Sequence, residues 1–149
     1  MPPQLTADDA RQSLNAHVAT KGCEIFDKYG PHIGWKELQQ ILNDRTCVRY
    51  PCVVVFDSSA LQTGECVYPQ PKGSQPEEGF TMFVHPLFLT EPACVARLVL
   101  YQLVLVNYGE FASSGDAETF GAAALGLTPD QYYADLCELA DQLAETTTT

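Results

Sequence analysis

Positive charge is what this chain has least of. Lys and Arg together number eight against nineteen Asp and Glu, the formal net charge is −11, and no cation follows Arg97. The segment after it still carries Glu110, Asp116, Glu118, Asp130, Asp135, Glu138, Asp141 and Glu145. A nucleic-acid backbone is held by neutralising its phosphates with Lys and Arg, so this charge pattern excludes nucleic acid as a partner. Acidic charge also keeps proteins dispersed in water; a basic partner is compatible with it but not demanded. Histidine is scarce too: His17, His32 and His85 are the three, and no two stand at the i, i+4 spacing with which one helix face grips zinc.

Long apolar runs are missing as well. The longest, residues 98–106, is broken by Gln102 and lies far below the ~20 residues that cross a bilayer, so no membrane partner is expected. The opening Met-Pro-Pro-Gln-Leu-Thr has neither the basic patch nor the apolar stretch of a secretory leader. A cytoplasmic location follows by elimination, and in that compartment the six cysteines read as reduced thiols rather than a disulfide framework. Cys47 and Cys52 form the one close pair. Zinc sites usually combine two such knuckles, and with no second one the pair reads as small buried side chains.

What is present suffices for one core. A chain of 149 residues with 46% hydrophobic side chains has the size and composition of a single globular domain. Residues 1–149 are therefore read as one domain, with 1–5 and 146–149 as frayed ends. Thr6 followed by Asp8 and Asp9 starts a helix, and Leu14, Val18 and Ile25 repeat at helical spacing until Tyr29-Gly30-Pro31 stops it. Trp35–Leu42 reads as a second helix with Trp35, Leu38 and Leu42 on its core face. Residues 48–56 carry Val53, Val54, Val55 and Phe56, a strand composition, and Asp57-Ser58-Ser59 is turn chemistry. The prolines and glycines of residues 69–79 predict a loop, and residues 80–85 a second strand with Phe80, Met82 and Val84 on one face.

Residues 94–108 form the most apolar helix. Its polar members Arg97, Gln102 and Asn107 are five apart, ~140° around the axis, so it has no wet face and belongs at the centre of the domain. An Ala-rich helix runs from Asp116 through Leu125 with Gly126 placed to end it; Gly121, Ala122, Ala123 and Ala124 allow close approach to a neighbour. Thr128-Pro129-Asp130-Gln131 has the capping-box pattern, followed by the stripe Tyr132, Leu136, Leu139 and Leu143. The predicted class is α+β: a small mixed or antiparallel sheet packed on a buried central helix, flanked by N- and C-terminal helices.

Phe83-Val84-His85-Pro86-Leu87-Phe88, a short loop, a buried helix and then Asp116-Ala117-Glu118-Thr119-Phe120 together resemble the middle of small zincin metallopeptidases. The likeness covers residues 79–127, about a third of the chain. In that family a strand leads into a helix bearing His-Glu-x-x-His, and a following helix supplies an acidic third ligand. The resemblance implies that Tyr101, Gln102 and Leu105 stand where those three residues would, with Glu118 or Asp116 at the third-ligand position. Tyr and Leu cannot replace two imidazoles, and Gln cannot act as a general base. A zincin-like layout here implies a scaffold whose catalytic residues are absent.

Two groups of residues remain as candidate sites. Tyr101, Gln102, Leu105, Asn107 and His85 form a candidate pocket, since buried polar groups on an apolar helix each need a partner. Glu110, Asp116 and Glu118 form a candidate acidic cluster, read either as acids favouring a helix N-terminus or, with His85, as a cation site. Ser113 and Ser114 look like caps and Cys94 a helix start, so no nucleophile stands beside a base. The leading expectation is a noncatalytic zincin-like binding or protein-interaction module without cofactor or metal, whose partner is an unidentified protein or small molecule, a basic one being compatible with the charge. The alternatives are a hydrolase with an atypical carboxylate–histidine metal site, and an oligomeric structural protein joined through Tyr132, Tyr133 and Leu136.

Overall fold

The first helix shows how local chemistry sets the elements. In the computed structural model, which describes residues 6–147, α1 (Ala7–Tyr29) opens on a reciprocal capping box: Asp9 N–H donates to Thr6 Oγ1 at 3.1 Å, and Thr6 N–H to Asp9 Oδ2 at 3.1 Å. Two backbone donors that the helix itself cannot satisfy are thereby paired. Then follow α2 (Trp35–Leu42), β1 (Cys52–Phe56), β2 (Val67–Pro71), β3 (Phe80–Val84), α3 (Pro92–Tyr108), α4 (Ser114–Leu125) and α5 (Pro129–Thr147). The α+β class is what the structure shows, with a three-stranded mixed sheet in the order β1-β3-β2. Strand β1 pairs parallel with β3, and β2 pairs antiparallel.

The core forms around α3. Val95, Ala96, Leu98, Val99, Leu100, Leu103, Val104 and Val106 are all buried, and so is Asn107. One sheet face covers it with Met82, Val84, Val67 and Cys52; α1 and α2 add Val18, Ile25, Leu38, Ile41 and Leu42; α4 adds Ala117, Phe120 and Ala124. Counted with the turn that follows it, Pro92–Phe111 is long and apolar enough to cross a membrane by length and composition alone, but half of that window is buried inside the fold. Nine residues of α3 are packed inside, while Cys94, Arg97, Tyr101, Gln102, Leu105 and Tyr108 form a partly exposed stripe, so the expectation of a helix without a wet face does not hold.

Several expectations need correction. The segment 69–79 is not all loop: Val67–Pro71 is a strand, and Pro76–Glu78 a 3-10 turn. Lys72 N–H donates to Gly79 C=O at 2.9 Å and His85 N–H to Cys66 C=O at 2.8 Å, so the even-numbered residues of β2 face β3. Pro69 and Pro71 then turn their missing donors to the open side, the one place a sheet accepts them. The first strand is shorter than residues 48–56 and begins at Cys52. Trp35 is 41% exposed rather than core, because the first residue of α2 projects beyond the covered part of the helix; its ring lies 5.8 Å from that of Phe56. Helix α4 begins at Ser114, before Asp116, with Ser113 as its cap. Helix α5 continues through Thr147, while residues 1–5 and 148–149 lie outside the described residues.

Helix–helix spacing is set by small residues. A Cβ at Gly22 of α1 would lie 2.5 Å from Phe120 O and 2.7 Å from Ala123 Cβ, so α1 and α4 touch nearly backbone to backbone. A Cβ at Gly121 would overlap the ring of Tyr132 on α5. Gly126, with φ +71°, supplies the left-handed turn that ends α4. Tyr132, expected at an interface, is instead fully buried on Gly121, and its hydroxyl donates to Arg97 C=O at 2.5 Å. Gly121→Ala should lower stability by about 1–3 kcal/mol through overpacking, measured as a reduced urea midpoint.

Asp44 closes the other end of the domain. Its Oδ2 accepts from Lys28 Nζ and from Tyr29 Oη, both at 2.6 Å, and its Oδ1 accepts from Thr46 N–H at 2.9 Å and Thr46 Oγ1 at 2.6 Å. These donors, Lys28 first, hold its carboxyl far below the ordinary range. A carboxyl depressed in the folded state stabilises it above the unfolded pKa and loses that contribution as pH falls below about 4. Asp44→Asn should therefore lower the melting temperature at pH 7 and flatten its decline between pH 5 and 2, as followed by circular dichroism.

Candidate functional site

Helical spacing builds an apolar cleft between α3 and α5. Leu98, Tyr101 and Gln102 stand at i, i+3 and i+4 on α3, and Tyr133, Leu136, Cys137 and Ala140 at i, i+3, i+4 and i+7 on α5. The chain entering β2 adds Glu65, Cys66 and Val67, and α4 adds Glu118, enclosing a cleft of about 360 Å³. Glu118, Tyr101 and Gln102 are half-buried, and none of these three side chains makes a hydrogen bond or ion pair among the described residues. Glu65 differs, because its Oε1 accepts from Gln62 N–H at 3.1 Å within the preceding turn. No Lys, Arg or His lines the cleft.

The ionisable groups here are held neutral or left as acids. Burial, reinforced by the Glu118 charge, pushes the Tyr101 phenol up; burial, reinforced by Glu65, pushes up the Cys66 thiol. A hydrogen bond with Cys137 raises the Tyr133 phenol. A thiol with a raised pKa is a poor nucleophile, since only the thiolate attacks. The cleft thus offers apolar walls, neutral hydroxyl and amide groups and one unpaired carboxylate. That set suits binding more than bond breaking.

Of the sequence-derived pocket, the fold brings together Tyr101 and Gln102 with Glu118. Leu105, 39% exposed, lies one turn further along α3, beside a smaller groove of about 240 Å³ that it shares with Gln102, Tyr68, Phe80 and Glu110. Asn107 is elsewhere: its Oδ1 accepts from Arg49 N–H at 2.8 Å and its Nδ2 donates to Cys47 C=O at 2.9 Å, fastening the approach to β1 onto α3. His85 caps the 3-10 turn Pro86–Phe88, with Nδ1 accepting from Leu87 N–H at 3.0 Å. The acidic cluster is likewise dispersed. Asp116 is buried as the capping partner of Ser113 and accepts from Asn15 Nδ2 at 2.9 Å, Glu110 is exposed, and only Glu118 reaches the cleft. No group of three or more His, Cys, Asp or Glu among the described residues is placed to hold a metal ion.

Sequence reasoning missed most of the α5 wall and all of residues 65–67. The signal was present in part: Tyr133, Leu136, Cys137 and Ala140 form a second apolar stripe beside the buried Tyr132, Leu139 and Leu143. A helix with more apolar surface than its core contact covers has an additional face to account for. No family model matches the chain, and neither any curated protein nor any solved structure proves similar to it. Asn107→Ala strands a backbone donor and an acceptor, and should cost at least about 2 kcal/mol in urea denaturation.

Proposed function

We propose that this protein is a noncatalytic binding module whose cleft between α3 and α5 receives an apolar group ending in a cation. The observation that carries this is the half-buried Glu118 carboxylate, without a hydrogen-bond or ion-pair partner among the described residues, at the wall of a cleft lined by no cation. A ligand ammonium would gain a charge-assisted bond from Glu118 and rest near the Tyr101 and Tyr133 rings, while its hydrocarbon displaces water from Leu98, Val67 and Leu136. The natural ligand is a small organic amine or the Lys or Arg side chain of a partner protein. A zincin-like ancestry belongs to this reading, with Tyr101, Gln102 and Leu105 on the helix that would otherwise bear His-Glu-x-x-His. So does a cytoplasmic location without membrane or nucleic-acid partners.

Hexylammonium and hexanoate separate charge from apolar burial, because their chains are equal and their heads opposite. Calorimetric titration should give saturable binding of hexylammonium and none of hexanoate. Glu118→Gln should weaken the ammonium about tenfold, the equivalent of ~1.4 kcal/mol. Equal binding of both probes, or amide shifts in NMR spectra that map away from residues 98–102 and 133–140, would refute the assignment.

A further inference from the structure

The sheet has two outer strands, and they are built in opposite ways. On β2 the outward-facing positions are Val67, Pro69 and Pro71, so two of the three lack a donor and a further strand cannot continue the ladder there. On β1 the bonds Phe80 N–H to Pro51 C=O, 2.8 Å, and Asp57 N–H to Val84 C=O, 3.2 Å, show that odd-numbered residues face β3. The N–H and C=O groups of Cys52, Val54 and Phe56 therefore point away from the sheet, and β3 is the only strand paired with β1 among the described residues. The strand is Cys-Val-Val-Val-Phe, with no charge, proline or glycine within it. None of the usual guards against strand addition is present in it.

The outward side chains are equally bare. Val53 and Val55 are 48% and 39% exposed, and by register they share the outer sheet face with Thr81, Phe83, Tyr68 and Gln70, all uncharged. Charge weighs less against this edge than against the C-terminal part of the chain. Residues 27–57 contain four Lys and Arg and four Asp and Glu, whereas residues 98–149 contain eight acids and no Lys or Arg. Two copies of a chain with net charge −11 meet there with less repulsion than the acidic C-terminal half would impose.

We propose that β1 is the site at which two copies of this chain associate, by antiparallel β1–β1 pairing across a twofold axis. The strand is complementary to itself. With Val54 opposite Val54, Cys52 falls opposite Phe56, and every outward backbone donor and acceptor of both strands is paired. Val53 of one copy then lies beside Val55 of the other on the outer face, placing β-branched pairs across the seam. The result is a closed six-stranded sheet ending at both sides in the proline-bearing β2, so the assembly stops at two copies. This pairing is independent of the cleft on the other side of the sheet.

Sedimentation equilibrium of the purified chain should give a mass approaching twice 16.3 kDa as concentration rises. Val54→Pro removes the central outward donor without touching the bonds to β3, and Val53→Glu with Val55→Glu sets like charges across the seam. Each change should raise the dimer dissociation constant at least tenfold while circular dichroism stays native. Hydrogen exchange on the unaltered chain gives a check that needs no variant: the amides of Cys52, Val54 and Phe56 should slow as concentration increases, while those of Val53 and Val55 remain constant. A chain that stays monomeric to millimolar concentration would overturn the pairing and leave the edge to a strand of another protein. A dimer unaffected by the substitutions, or assembly beyond two copies, would overturn it too.

Discussion

Nine residues of the seventeen-residue helix α3 are buried, and the other elements are arranged to cover that side of it, leaving Cys94, Arg97, Tyr101, Gln102, Leu105 and Tyr108 as a partly exposed stripe. The sheet lies on one side of α3, α1 and α2 close a second, and α4 and α5 a third. The close contacts at Gly22 and Gly121 are part of the same requirement. The other four helices and the three short strands surround α3, and where α4 meets α1 and α5 they approach nearly to backbone distance at small residues. Asp44 then joins the end of α1 to the turn after α2, fixing one side of the enclosure with four hydrogen bonds to one carboxylate.

The polar groups of α3 show where the cover is complete and where it is not. Arg97 Nε reaches Asp135 Oδ2 of α5 at 3.0 Å, and its carbonyl accepts the Tyr132 hydroxyl. Asn107 is fully engaged by the backbone of Cys47 and Arg49. Tyr101 and Gln102, between them, meet no hydrogen-bond partner among the described residues and line the cleft between α5 and the start of β2. The cleft is thus the place where covering α3 stops short, and Glu118 puts a charge beside it. Polar groups on a buried helix that have no partner inside the protein are available to one outside it.

Much of the fold was legible in the sequence because its signals act over a few residues. The capping boxes at Thr6 and Thr128, the Gly126 stop, the limits of α2 and the burial of nine residues of α3 all depend on neighbours within one or two helical turns. Strand β2 was not legible, because whether Pro69 and Pro71 can lie in a sheet depends on which side of the strand is paired. Trp35 misled for a related reason: its spacing matched the core face, but its exposure depends on how far the sheet extends beside α2. The site divided in the same way. Tyr101 and Gln102 stood out as polar interruptions of an apolar helix, whereas Asn107, His85 and Asp116 had the same local look and proved to be fastenings.

The sequence by itself determined the helix limits to within two residues, which helix must be central, and that the chain carries its cations in its first two thirds. Periodicity and capping are properties of residues close in sequence, and need no knowledge of the partner surface. Tertiary structure alone decided strand order, the direction in which β1 and β2 present their free edges, and which of the candidate polar side chains share a cleft. Those depend on contacts between residues far apart in sequence: Asn15 with Asp116, Arg49 with Asn107, Arg97 with Asp135. Whether a polar side chain becomes an internal clamp depends on whether such a distant partner arrives, and for Glu118, Tyr101 and Gln102 none does among the described residues.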